Sequence, residues 1–334
     1  MIPTIQKNVF QYLSKQHPNT KSLISSLQTT LTISQSAAYK RINGNSPLSL
    51  LELEILITQY QIPAHVISVN NTTNVCFNFA PLAEEPLQNS NFIKTVHQEL
   101  TRLSSDPFGH IIYTSIDVPF FYYFMYKELA TFKLFHFKHS VSKSSVKQLP
   151  KIALASISKN EVAAFESIVS MYSKITSDEI WTSQALKITA DEILYFHKMN
   201  LFQYPEEAIL LLDKLLLLSD RLFNILSQQN KGLMINKSEQ GAALSVNYND
   251  FTRFNSVIIA QTNQQSALFL TYDIPNFLYS TNASFINYTT RWTKKLKQKA
   301  HPLSNTGEVQ LLDFFNRSND YILQVKNKIA GVLE

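Results

Sequence analysis

Few residues in this chain combine type and spacing in a way that carries chemistry, and most of those lie near the N-terminus. Ser36, Tyr39, Lys40 and Asn43 project from one side of a short predicted helix, while Ala38 and Ile42, four apart, face the other way. A face of hydroxyl, amide and ammonium groups suits hydrogen bonding and charge pairing with a partner rather than bond-making. Reactive types elsewhere are scattered. Of the 8 His residues only His136 and His139 form a close pair on a shared helical face, with no neighbouring Cys or carboxylate cluster to complete a metal site. The 6 glycines form neither a P-loop nor a dinucleotide fingerprint. There is no Gly-x-Ser-x-Gly elbow, and Cys76 lacks an activating motif. The expectation is a protein that is not an enzyme and uses no cofactor or metal.

The polar face needs a scaffold, and the flanking residues supply one. Ser34 is placed to cap a helix running to about Ile42, with Ile33 as an apolar anchor before it. Gly44, the first glycine of the chain, falls where a helix leaves through a left-handed residue. Leu23, Leu27 and Leu31 give the preceding helix an apolar stripe, and Leu31-Thr32-Ile33 forms the turn. Ser46-Pro47 is read as the start of a further helix whose buried side is Leu50, Leu51, Leu53, Ile55, Leu56 and Tyr60. The stretch Thr20–Ile62 thus reads as a helix-turn-helix with two supporting helices.

These residues resemble the lambda-repressor-like (XRE-type) helix-turn-helix, in particular long bacterial regulators whose recognition helix reads roughly S-x-x-S-A-Y-x-R-I-x-G-x-x-P. Ser34, Ser36, Ala37, Tyr39, Arg41, Ile42, Gly44 and Pro47 carry the likeness, which spans about residues 5–65. Gln28 departs from a usual small Ala, and Thr32 from a usual Gly or Asn. The resemblance implies binding to double-stranded DNA, with the Ser34–Asn43 helix in the major groove. Gln35 would then suit adenine and Lys40 guanine, with Ser36 and Tyr39 as further readers. Lys21, Arg41, Asn43 and Asn45 would hold phosphates. The alternative for Lys40 and Arg41 is a solvated basic pair. Residues 1–65 hold five Lys and Arg against two Glu, a net +3 of the chain's +5. That modest excess implies a homodimer on a roughly palindromic operator.

The 334 residues exceed one ordinary core, and 45% hydrophobic content with 22 Phe and 15 Tyr describes a globular chain. One cysteine fits a reducing, cytoplasmic setting, and no apolar stretch is unbroken enough to span a membrane. The domains read as 1–66 (helix-turn-helix), 67–89 (linker, with an NNTTN run, Pro81 and Pro86) and 90–334 (regulatory and dimerisation body).

In that body Ser90 is a candidate cap for a helix carrying Ile93, Val96, Leu100 and Leu103. Ile111–Phe121 reads as a strand, Tyr126–His139 as a helix, and Ser158/Glu161 and Thr189/Glu192 as capping boxes. Ile209–Leu226 reads as a core helix with a share in a dimer interface. Ala243–Asn249, Ser256–Thr262 and Ala267–Tyr272 suggest a small antiparallel meander before two final helices, about Ser284–Lys299 and Gly307–Ile329. The fold class expected is mainly α, α+β overall. The family likeness extends more loosely to Asp117–Phe124, Glu179–Thr182, Asn276–Thr281 and Tyr288–Trp292. The aromatic run Phe120–Phe124 reads as core or as a pocket wall, and the basic run Arg291–Lys299 as a solvated helix face or a contact surface. The leading expectation is a DNA-binding transcriptional regulator with a small-molecule or protein effector. The alternative is a protein-interaction module without specific DNA binding.

Overall fold

A computed structural model of the chain describes residues 4–67, 75–79, 89–141, 150–235, 241–251, 256–273, 276–304 and 308–333. Two compact units divide it, Met1–Asn78 and Phe79–Glu334. The NNTTN run, Pro81, Pro86 and Gly307 lie outside the described residues.

The first unit is helical: α1 (Thr4–Gln16), α2 (Thr20–Leu31), α3 (Gln35–Ile42), α4 (Leu50–Tyr60) and the short α5 (Ala64–Ile67). Apolar spacing on α1 and α2 builds its core, in which Val9, Phe10 and Leu13 meet Leu23, Ile24 and Leu27. Ala38 of α3 and Leu56 of α4 close it. Ser49, not Ser46-Pro47, starts α4, in a reciprocal capping box with Glu52. Leu50 and Leu51 therefore occupy the first turn and point outward, 86% and 66% exposed, instead of joining the buried side.

The second unit is built on a mixed sheet in the order β1-β7-β6-β5-β2-β3-β4-β8. Its strands are β1 (Asn78–Phe79), β2 (His110–Thr114), β3 (Thr176–Trp181), β4 (Leu244–Tyr248), β5 (Val257–Gln261), β6 (Ser266–Asp273), β7 (Asn276–Ser280) and β8 (His301–Pro302). β2, β3 and β4 are parallel neighbours. Parallel pairing requires long crossovers, and helices supply them. Between β2 and β3 run a 3-10 turn (Phe120–Met125), α7 (Lys127–Val141) and α8 (Lys159–Tyr172); between β3 and β4 run α9 (Lys187–Lys198) and α10 (Glu207–Gln228). β5, β6 and β7 form antiparallel hairpins against the other edge of β2. α6 (Asn89–Ser104) precedes β2, and α11 (Ala283–Gln298) and α12 (Glu308–Leu333) complete the unit.

This architecture corrects the small antiparallel meander expected near the C-terminus. β5 and β6 are a true hairpin, but β4 lies three places from β5 and pairs in parallel with β3. β3 has no counterpart in the sequence reading. The predicted strand Ile111–Phe121 is shorter, and Phe120 onward turns into the 3-10 segment. Ser90 lies inside α6, which begins at Asn89. Ser158 and Glu161 form the expected capping box. Thr189 and Glu192 do not: α9 starts two residues before Thr189, after Leu186 at a left-handed φ of 69°. Gly109, in the turn before β2, has no room for a side chain, because a Cβ there would lie 2.0 Å from the Leu103 carbonyl oxygen.

Candidate nucleic-acid interface

α3 owes its shape to residues at its two ends. Ser34 Oγ accepts the Ala37 N–H at 3.3 Å, satisfying one of the free amides that open the helix. At the other end Gly44, φ 73°, donates to Arg41 O at 3.1 Å while Asn45 donates to Lys40 O at 2.8 Å. This pair of bonds is the Schellman closure, and it requires the left-handed residue that glycine supplies without steric cost. The turn before α3 uses Thr32, also left-handed at φ 53°, with both Thr32 and Ile33 donating to the Gln28 carbonyl. Gln28 itself is half-buried.

On this frame Gln35, Ser36, Tyr39, Lys40 and Asn43 are all exposed, Tyr39 by 54%. At about 100° per residue they fill one continuous arc of about 140°, opposite the buried Ala38. Among the described residues the side chains of Gln35, Tyr39, Lys40 and Asn43 form no hydrogen bond to the protein, and Ser36 Oγ meets only Ser34 Oγ at 3.3 Å. Asn45 is exposed just beyond, and Lys21 is exposed in the first turn of α2.

Arg41 is placed differently. Its guanidinium pairs with Glu52 at 2.6 Å, and the side chain is largely buried between the end of α3 and the start of α4. Burial pushes the Glu52 carboxyl up, but hydrogen bonds and charge from Arg41, together with the Ser49 amide, outweigh this and hold it below its ordinary value. A second brace is Gln6, which the sequence reading did not single out. Its buried amide donates to Arg41 O at 2.7 Å and Ser46 O at 2.9 Å, and accepts from Leu48 N at 3.0 Å. The signal was present: Gln6 is the one polar residue on the Gln6-Val9-Phe10-Leu13 face of α1. Tyr60 adds a third tie, its hydroxyl lying 2.6 Å from Ser26 Oγ and 3.1 Å from Thr30 Oγ1.

In the second unit, chemistry-bearing groups are drawn inward. Glu179 on β3 is buried, and its carboxylate accepts from Tyr122 (2.9 Å), Tyr172 (2.6 Å), Ser177 (2.7 Å) and the Trp181 indole (3.1 Å). Two of the segments carrying the looser family likeness thus meet in one buried network, tightened by Thr182 donating to Ile116 O at 2.6 Å. Lys231 is buried beside it, its ammonium 3.6 Å from the centre of the Tyr172 ring and donating to Ile175 O at 2.8 Å. Burial drives the Lys231 pKa down to about 7, against the pull of Glu179. In the basic run of α11, Arg291, Lys294, Lys295 and Lys299 are exposed and Lys297 pairs with Asp178. Among the described residues no three His, Cys, Asp or Glu side chains converge as a metal site, and no helix is long and apolar enough to cross a membrane.

Comparison of the chain with protein-family models, with curated proteins and with solved structures finds no match.

Proposed function

We propose that the protein is a cytoplasmic, sequence-specific DNA-binding transcriptional regulator. α3 enters the major groove, and the larger unit supplies homodimerisation and an effector site. One observation carries this reading. A helix capped at both ends by Ser34 and Gly44 presents Gln35, Ser36, Tyr39, Lys40 and Asn43 in one exposed arc, and among the described residues only the Ser36 hydroxyl has a partner, Ser34. An uncommitted amide and ammonium on a rigid helix are the groups that read adenine and guanine edges. Lys21, beside the amide-rich start of α2, and Asn43 and Asn45, at the end of α3, suit phosphates. Arg41 serves the scaffold through Glu52.

Selection of bound duplexes from a random pool by the full-length protein, followed by affinity measurements across salt, tests the reading. An enriched inverted repeat whose affinity falls steeply with salt is the expected outcome. Absence of any enriched sequence would favour the second reading, a protein-interaction module, for which the outward-facing Leu50 and Leu51 are the supporting feature.

A further inference from the structure

A cavity of about 110 Å³ lies in the second unit, outside the carboxyl end of β2 and between α7, α9 and the β5–β7 hairpins. The carboxyl ends of parallel strands are where open α/β sheets place their ligands. Rings of Phe92, Tyr113, Phe120, Phe137 and Phe277 wall it, and Asp117, Lys133, His136 and Glu192 form its polar side.

The polar groups are unequally committed. Asp117 is saturated: Oδ1 accepts from Val118 N (2.8 Å) and Leu186 N (2.9 Å), and Oδ2 from Tyr123 (2.7 Å) and Thr189 (3.0 Å). Lys133 is buried and shared, 2.7 Å from Glu192 Oε2 and 3.5 Å from Asp117 Oδ2, with its ammonium 4.5 Å from the Tyr123 ring centre. Two acceptors remain. Glu192 Oε1 accepts no hydrogen bond among the described residues, and 3.7 Å from it His136 Nδ1 is buried without a partner. That separation is too long for a direct hydrogen bond and short enough for one nitrogen to lie within hydrogen-bond distance of both atoms.

The charge balance selects the ligand. Among the described lining residues two carboxylates face one ammonium, and burial holds His136 below its ordinary pKa and hence neutral near pH 7, so their summed charge is negative. The one Lys or Arg among those residues, Lys133, is already shared between two carboxylates and leaves little for an anion. A cation finds a free carboxylate oxygen, an imidazole acceptor in the Nε2–H tautomer, and aromatic faces that attract positive charge.

We infer that this cavity is a binding site for a small primary ammonium ion, its N–H groups donating to Glu192 Oε1 and His136 Nδ1 and its alkyl part lying among the phenyl rings. A cavity of about 150 Å³ holds benzene, so this one takes a chain of about five non-hydrogen atoms.

Butylammonium, butan-1-ol and butyrate titrated into the full-length protein by calorimetry, with no DNA present, test the site independently of the regulator reading. Butylammonium should bind saturably, butan-1-ol at least tenfold more weakly, and butyrate not at all. Glu192→Gln should weaken butylammonium at least tenfold. Thr271 of β6 also lines the cavity, its hydroxyl donating to Ser256 O and not to the ion network; Thr271→Leu, which fills the space from that side, should abolish binding and keep the native circular dichroism, so the test survives if Glu192→Gln fails to fold. Butyrate binding as well as butylammonium, no saturable butylammonium binding, or undiminished binding in a folded Thr271→Leu protein would overturn the assignment.

Discussion

Arg41 and Glu52 meet at 2.6 Å, joining the last turn of α3 to the first turn of α4. The contact makes the most conspicuous cation of the helix-turn-helix a structural brace. Arg41→Met should destabilise the first unit by about 1–2 kcal/mol, because Glu52 is left partly buried without its partner. Glu52 has a folded pKa below its ordinary value, so its contribution is present above that value and is lost as pH falls through the lower folded one. Urea unfolding at neutral pH and below about pH 4 should therefore show the gap between wild type and variant closing in acid.

Gln35→Ala with Lys40→Ala should abolish sequence preference and leave the fold intact, since both side chains are exposed and neither forms a hydrogen bond or ion pair among the described residues. The loss should be about 1–3 kcal/mol for each bidentate base contact removed, read by competition between operator and scrambled duplex. Lys21→Ala should instead weaken all sequences alike and lower the slope of log affinity against log salt by about one. Equal affinity of the double variant for operator and wild-type selectivity retained would place the interface elsewhere.

Gly44→Ala should cost about 1–2 kcal/mol, since the Schellman closure holds this residue at φ 73°. Chemical denaturation measures it. The same substitution should weaken DNA binding through misplacement of α3 and leave butylammonium binding in the other unit unchanged.

Lys231 should give the protein an alkaline stability maximum. Its folded pKa, about 7, lies below its unfolded value near 10.5, so between these limits the unfolded chain binds the extra proton and stability rises with pH. The rise is bounded at roughly 1.4 kcal/mol per pH unit. Above pH 10 the sign reverses, because burial raises Tyr122, Tyr123 and Tyr172 well above the ordinary tyrosine value of 10.0, so the unfolded chain ionises first. Midpoints of urea unfolding between about pH 7 and 10 should climb for the wild type and stay flat for Lys231→Met.

The parts legible in the sequence are those decided locally. Ser34, Gly44 and the Leu23–Leu27 stripe act within a few residues of themselves, and the structure places them as the residue types require. Leu50 and Leu51 were misassigned because a run of leucines extends past the cap, and only the position of Ser49 fixes which face turns inward. β3 was invisible for a different reason. Its Thr-Ser-Asp-Glu-Ile-Trp sequence reads as polar, and the donors that let Glu179 be buried come partly from Tyr122, far away in the chain. The Thr189/Glu192 pattern matched a capping box by type, but the Thr189 hydroxyl donates to Asp117 and Glu192 Oε2 accepts from Lys133. In these last two cases a tertiary partner overrode a local pattern.

The position of β2 also governs the order in which the molecule can be assembled. His110 pairs with Thr176 on one side and Gln261 on the other, so the central strand waits for much of the remaining chain before either edge is complete. The first unit closes its core from residues up to Ile67 alone. During synthesis a helical head that emerges and settles early would therefore be followed by a body whose sheet stays unpaired until late. Its apolar strands His110–Thr114 and Val257–Gln261 are exposed to aggregation and chaperone capture in that interval.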